Sequence, residues 1–283
     1  MNKNRIGYLG PEGSFTNVAA LHAFSQQKLK AYFTIPDCFD ALVNNEVDYS
    51  IIPLENTLEG SVTLTIDSLF RSSNLSVVAE IILPIQQHLL MHIDQKNQQV
   101  EKVLSHSHAL AQCHQFLHQD LKGVPLVQTT STSAAAKLVS RESEKPLAAI
   151  GTELAAKLYE LEIVKRNIQD SSNNHTRFVV VTSDKAPPTL SLTPTRVKST
   201  IMVTLPTDRA GALHQVLSAF SWRRLNLSKI ESRPLKKRLG DYFFIIDIEE
   251  EVDSVLVKGS LDEIRALGCG VKVIGSYASY PIA

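Results

Sequence analysis

Lys185-Ala186-Pro187-Pro188-Thr189-Leu190-Ser191-Leu192-Thr193-Pro194-Thr195-Arg196-Val197 is the stretch on which the reading of the fold turns. Prolines among serines and threonines leave neither helical nor ladder periodicity, so the segment reads as a linker, extended rather than floppy. Before it, short apolar runs alternate with helix-period segments through residue 183. Strands are expected at 5–10, 31–35, 49–54, 75–83, 100–105, 125–129, 147–150 and 176–182. Helices are expected at 16–26, 37–45 with Asp37 as cap, 63–71, 109–118, 133–140 and 152–158. This alternation predicts an α/β architecture with mostly parallel sheets. Beyond the linker the rhythm changes to strand 200–205, helix 211–222, strands 227–235 and 242–249, helix 253–267 and strand 271–276. The order β-α-β-β-α-β is that of a ferredoxin-like unit.

The chain has 283 residues with 29 basic and 29 acidic side chains, and 43% of it is hydrophobic. That apolar share suffices for real cores, and a charged fraction of 20% is too low for disorder. Zero net charge without a Lys/Arg cluster removes the attraction that nucleic-acid binders rely on, so no nucleic acid is expected as a partner. No apolar run approaches the roughly 20 residues of a membrane-spanning helix. The start, Met1-Asn2-Lys3-Asn4-Arg5, enters a strand-like segment without the apolar region of a secretory signal. Cys38, Cys113 and Cys269 are odd in number, scattered and free of any C-x-x-C pair. The expectation is a soluble cytoplasmic protein with reduced thiols, not associated with a membrane.

Polar residues gather where strands end, which is where open α/β sheets hold ligands. Gly10-Pro11-Glu12-Gly13-Ser14-Phe15-Thr16 joins a strand to a helix whose N–H groups favour an anion; it is neither G-x-G-x-x-G nor a P-loop, and an ordinary turn capped by Ser14 or Thr16 is the competing reading. Pro53-Leu54-Glu55-Asn56-Thr57-Leu58-Glu59-Gly60-Ser61-Val62 is denser in polar groups than capping by Thr57 or Ser61 requires, and a carboxylate there can serve as acid or base if burial raises its pKa. His106, His108, His114 and His118 raise the question of a metal, but without a H-E-x-x-H pattern a solvated helix face is the better reading. Ser105 ends a strand and Gln112 lies about two turns into the next helix. Thr129-Thr130-Ser131-Thr132-Ser133 carries more hydroxyls than a cap needs, and Asn173-Asn174-His175-Thr176-Arg177-Phe178 offers an arginine able to clamp a carboxylate. Together these describe a cleft for a small polyanion.

Residues 10–16, 53–62, 105–113 and 174–178 resemble the prephenate dehydratase family, and Gly211-Ala212-Leu213-His214 with Glu231-Ser232-Arg233-Pro234 resembles its phenylalanine-responsive ACT domain. The agreement runs over about residues 5–280 in the expected order, which is far more specific than any one motif. One departure stands out: the family usually reads Ser-His-Pro-Gln-Ala-Leu where this chain has Ser105-His106-Ser107-His108-Ala109-Leu110, which bears on how that helix starts. Nothing helical precedes Arg5, so the resemblance is to the form without a fused chorismate mutase.

The resemblance implies a type II periplasmic-binding-protein-like catalytic domain at 1–183, with lobes near 1–80 plus 165–183 and 81–164, then a linker at 184–198 and a ferredoxin-like ACT domain at 199–283. It implies decarboxylative dehydration of prephenate to phenylpyruvate without metal or cofactor. Thr176 is expected at the leaving hydroxyl, with Glu55 as a proton source and Asn56, Ser105 and Gln112 positioning substrate. Ser14, Phe15, Thr16, Ser61, Thr132, Ser133, Arg177 and Phe178 are expected to bind it. L-phenylalanine is expected between paired ACT domains of a homodimer or homotetramer, at Gly211, Ala212, Leu213, Asn226, Leu227, Glu231 and Ser232, lowering activity. Two other readings stay open at this point: an arogenate dehydratase, which eliminates from the aminated substrate, and a non-catalytic metabolite sensor.

Overall fold

A computed structural model describes residues 4–184, 186–207, 209–236 and 242–282. Residues 1–3 of the start, Lys185 of the linker and the final Ala283 lie outside the described residues. Strands β1 (Ile6–Leu9), β2 (Leu29–Tyr32), β3 (Tyr49–Asn56), β4 (Gly60–Ser61) and β5 (Ser76–Pro84) are interleaved with helices α1 (Phe15–Ala23), α2 (Ile35–Val43) and α3 (Thr63–Arg71). The chain then builds a second sheet from β6 (His88–His92), β7 (Lys102–Ser105), β8 (Leu126–Gln128), β9 (Leu147–Gly151) and β10 (Leu161–Lys165). Helices α4 (Ser107–Gln112), α5 (His114–Asp120), α6 (Thr132–Arg141) and α7 (Glu153–Leu158) belong to this part. It returns as β11 (His175–Thr182) and ends with β12 (Arg196–Thr204), α8 (Ala212–Ser221), β13 (Leu227–Pro234), β14 (Tyr242–Ile248), α9 (Val255–Ala266) and β15 (Gly270–Pro281). The result is two α/β lobes joined by two crossings, followed by a βαββαβ unit.

Several local expectations are corrected. The sheets are mixed: β1 lies parallel to β2 and β3, but β11 runs antiparallel to both β3 and β5 because it re-enters from the other lobe. Helix α2 starts earlier than expected, because Thr34 caps it and Asp37 sits three residues on, returning a bond to the Thr34 N–H in a capping box. The single helix expected at 109–118 is broken at Cys113, whose φ of −115° and ψ of 23° separate α4 from α5. The linker is held against the first lobe, with Leu190 and Leu192 packed on the core around α1 and β1.

Among the described residues the first sheet has ten strands in the order β13-β14-β12-β15-β5-β11-β3-β1-β2, with β4 on β3. The C-terminal unit therefore extends the first lobe's sheet. Strand β14 is apolar on both sides because both are covered. Phe244, Ile246 and Ile248 pack with α8 and α9, while Phe243 and Ile245 join Leu54, Ile66 and Leu69 of the first lobe. Phe70 stacks on Phe243 with ring centroids 4.2 Å apart. Lys272 Nζ donates to the carbonyls of Leu69, Phe70 and Ser72 at the C-terminal end of α3, where carbonyls lack helical partners. Along β15, a Cβ on Gly275 would fall 2.0 Å from the Val77 carbonyl oxygen, so only glycine lets β15 lie this close to β5.

At the centre of this junction is a buried ionic cluster. Arg177 Nη1 meets Asp247 Oδ2 at 2.5 Å, Arg177 Nε meets Glu80 Oε2 at 2.5 Å and Arg177 Nη2 donates to Tyr277 OH at 2.7 Å. Lys198 Nζ reaches the other Glu80 oxygen at 2.9 Å, and Thr200 Oγ1 donates to Asp247 Oδ1 at 2.6 Å. The Arg177–Glu80 approach is close but off the direction of a hydrogen bond, so it is an ion pair. Glu80 and Asp247 are 0% and 1% exposed. Burial would raise the Asp247 pKa, yet the charge and hydrogen bond of Arg177, with Thr200 and Lys198, hold it below the ordinary value. Burial likewise opposes the Arg177 charge, and Tyr277, Asp247 and Glu80 override it, raising its pKa.

Two outcomes are expected. Gly275→Ala lowers the Tm by several degrees, because backbone must move to admit the methyl group at a cost of about 1–3 kcal/mol; a thermal melt measures it. Asp247 stays ionised to lower pH in the folded than in the unfolded chain, so its contribution is present above the ordinary value of 3.8 and is lost as pH falls through the folded-state value. Asp247→Asn should lower stability at pH 7 by about 3 kcal/mol and flatten the acid limb of a stability-against-pH profile.

Candidate active site

The site is built at the end of the β3–β11 ladder. Thr176 pairs with Asn56 and Arg177 with Glu55, whereas Phe178 pairs with Pro53, so Leu54 is the extra residue of a β-bulge. Alternation along the strands then puts Asn56 and Thr176 on one face of the ladder and Glu55 and Arg177 on the other. Asn56 organises its face. The two N–H groups of its Nδ2 are shared among three acceptors, Asn174 Oδ1 at 2.8 Å, Thr176 Oγ1 at 2.9 Å and, at longer range, the His175 carbonyl at 3.2 Å. Its Oδ1 accepts from the N–H groups of Leu58 and Glu59, at 2.9 and 3.0 Å, so backbone partners on both sides fix the orientation of the amide.

The ring closes across the two lobes. Asn174 Nδ2 donates to Gln112 Oε1 at 3.2 Å, and Gln112 Nε2 donates to Glu59 Oε1 at 3.4 Å. His108 Nε2 lies 3.9 Å from Glu59 Oε2, a contact that carries charge only when the imidazole is protonated. A cavity of about 230 Å³ opens beside this ring, lined by Leu58, Glu59, Gln112, Asp170, Ser171 and Asn174 among others. On the far side of the cleft the lobes also touch: Ser133 Oγ donates to the Glu12 carbonyl, and Thr152 Oγ1 donates to the Gly13 carbonyl at 2.7 Å. Ser107 takes the first helical position of α4, and His106 Nδ1 accepts from the His108 N–H to start the helix. Burial, with His108 beside it, pulls the His106 pKa below the ordinary imidazole range.

Of the residues expected at the site, the structure brings together Thr176, Asn56 and Gln112. Ser14 caps α1 by accepting from the Asn17 N–H, with Thr16 buried behind it. Thr132 and Ser133 open α6, which Ser131 caps. Other expectations are corrected. Glu55 is on the face of the ladder away from Thr176, with Lys229 Nζ at 2.7 Å and Arg177 at 3.5 Å. Arg177 is held in the cluster described above, not open to a substrate carboxylate. Ser105 is fully buried and donates to the Ile150 carbonyl at 2.7 Å. Phe178 lies in the core with Ile6, Tyr8 and Ile51, and Phe15 packs against that core. Ser61 accepts from Lys229 at 2.7 Å and donates to Glu231 at 2.5 Å. Asn174 and Glu59 complete the ring and were not assigned a role from the sequence, although Asn174 precedes Thr176 by two residues, the spacing that shares a strand face.

In the C-terminal unit, Gly211 has φ 82° at the start of α8, with open space where a side chain would stand. Ala212 is buried behind it and Leu213 packs with Leu225 and Leu227 on the helix-covered core. Asn226 Nδ2 donates to Glu249 Oε2 at 2.7 Å. Ser232 pairs with Phe244 and so shares the helix-side face of β13, whereas Glu231 points the opposite way, to Ser61 and Lys229. Glu231 is thereby separated from the other residues expected around an effector.

The prephenate dehydratase family model matches residues 6–186, and the ACT domain model matches residues 199–266. The chain is 52% identical to a prephenate dehydratase of Bacillus subtilis over 98% of this chain and 100% of that protein. It is 42% identical to one of Lactococcus lactis subsp. cremoris over 98% and 99%. A prephenate dehydratase from Arthrobacter aurescens, solved in complex with L-Phe, superposes with a TM-score of 0.87 at 30% identity, over 97% of this chain and 90% of that one. With both units matched in order and relatives aligned over nearly their whole length, the chain belongs to the prephenate dehydratase family, enzymes that here carry a C-terminal ACT domain.

Proposed function

We propose that prephenate reacts in the cleft between the lobes with the Thr176 hydroxyl at its leaving group. The observation that carries this is the bond from Asn56 Nδ2 to Thr176 Oγ1. With its oxygen accepting, Thr176 is free to turn its own proton toward a ligand. In the reaction the bond from the ring to its carboxylate breaks, the electron pair enters the ring, and the hydroxyl on the opposite carbon departs after taking up one proton. Carbon dioxide and water leave and the ring becomes aromatic, so little covalent help is needed. An aliphatic hydroxyl is too weak an acid to be the final proton source, so Thr176 orients the leaving group and relays a proton from solvent. With Arg177 turned away, the N–H groups opening α1 and α6, around Ser14–Thr16 and Thr132–Ser133, are the partners for substrate carboxylates.

The same reading assigns residues 1–183 to catalysis, 184–198 to a linker and 199–283 to regulation, in keeping with the matched spans 6–186 and 199–266. Prephenate ranks before arogenate on the names of the relatives. L-phenylalanine is the inhibitor, held near Gly211–Leu213, Asn226, Leu227 and Ser232; the complex of the Arthrobacter relative supports this. A second copy of the chain completes that site in a dimer or tetramer, supported by β13 lying at the end of the sheet with Ile230 exposed. The cytoplasm, where amino acids are made, is the working compartment.

Phenylpyruvate formation from prephenate, followed by absorbance with and without phenylalanine and in EDTA, tests the reading. Thr176→Ala should lower kcat about 10²–10³-fold with little change in KM, and Thr176→Ser should recover most of it. Near wild-type turnover in Thr176→Ala would remove this hydroxyl from the chemistry.

A further inference from the structure

Strand β13 presents two rows of side chains. Ile230 and Ser232 pair with Ile246 and Phe244 and so face the helix side, where the effector is placed above. Lys229, Glu231 and Arg233 face the first lobe. Lys229 Nζ lies 2.7 Å from Glu55 Oε1, 2.7 Å from Ser61 Oγ and 3.1 Å from Glu231 Oε2; Arg233 approaches Asp67 at 3.7 Å. Glu55 and Ser61 are themselves a ladder pair, and the next pair outward is Asn56 with Gly60. The two alternations stand in series: an outward residue of β13 is one bond from Lys229, Lys229 grips Glu55, and Glu55 is one bond from the Asn56 that holds Thr176. A shift of β13 toward or away from the first lobe is therefore delivered to the β3 tip. Asp247 grips the matching position on β11, Arg177, next to Thr176.

We infer that Lys229 and Asp247 are positioning residues acting on Asn56 and Thr176 through Glu55 and Arg177, and that the Lys229–Glu55–Ser61 contact is the route by which a ligand on the far face of β13 alters turnover. This rests on the reading that phenylalanine inhibits the enzyme. The route needs no movement of the linker, because β13 contacts the first lobe directly.

Lys229→Gln in the full chain tests it, with initial rates over a phenylalanine series and phenylalanine binding measured by equilibrium dialysis without substrate. The expected result is that half-inhibition needs about tenfold more phenylalanine while binding stays within about threefold, and that Lys229→Arg restores inhibition. Ser61→Ala, a smaller change on the other side of the contact, should move inhibition in the same direction by about twofold or more, and decides the matter if Lys229→Gln does not fold. Wild-type inhibition in the folded variant overturns the route. So does loss of phenylalanine binding in step with inhibition, which would place Lys229 in the effector site. Failure of the regulatory reading is seen separately, as no inhibition of the wild-type protein.

Discussion

Two cations and two anions are shut away from water where the C-terminal sheet meets the first lobe, and two of their three ion pairs cross between the units. The first lobe contributes Arg177 and Glu80, and strands β12 and β14 contribute Lys198 and Asp247. Each half is neutral by itself, so separated surfaces would not repel, but two close contacts cross the boundary: Arg177 to Asp247 and Lys198 to Glu80. A buried ion pair adds little net stability over an apolar pair of the same shape, whereas a misplaced partner leaves a charge stranded. The cluster therefore acts on where the sheets meet. Tyr277 and Thr200 fill remaining hydrogen-bonding positions, and the apolar contacts around Phe243 and Ile245 supply the burial.

That constraint passes to the chemistry because β-strands alternate. Anchoring Arg177 from one side fixes which way its neighbour Thr176 faces, and the bulge at Leu54 brings Asn56 opposite it. The amide of Asn56 then joins the strand ends, the 57–59 loop and, through Asn174, the Gln112 of the other lobe. A single primary amide can do this because it offers two donors and two acceptor positions, and here backbone groups occupy enough of them to leave one orientation.

Much of this was legible in the sequence. The change from alternating α/β to βαββαβ across the proline-bearing stretch, and the polar clusters at strand ends, both follow from local periodicity. Strands β6 and β10 are absent from that reading, and the length of β15 escapes it because its last residues pair with β5 rather than with a neighbour in sequence. The site was less legible. Which of Glu55 and Asn56, or of Thr176 and Arg177, faces the cleft depends on a bulge and on what covers each side of the sheet. A carboxylate at a strand end reads as an acid or base from local pattern alone; its contact with Lys229, 174 residues further along the chain, is not visible there. Asp37 reads as a cap from sequence alone, whereas Thr34 three residues earlier takes that role and Asp37 completes the capping box.

The pairing of Ala278–Pro281 with Ala79–Ile82 has a consequence for biosynthesis. These segments lie about two hundred residues apart, so this part of the sheet is of high contact order and forms late. While the chain emerges from the ribosome, the outer edge of β5 is complete in sequence long before β15 exists to cover it. During that interval a strand containing Val77-Val78-Ala79 and Ile81-Ile82 offers unpaired N–H and carbonyl groups, a template for another chain. Glu80, at the centre of this strand and buried in the finished protein, places a charge in that edge until Lys198 and Arg177 meet it. The residue that ends as part of the domain junction thus begins as a guard against premature association.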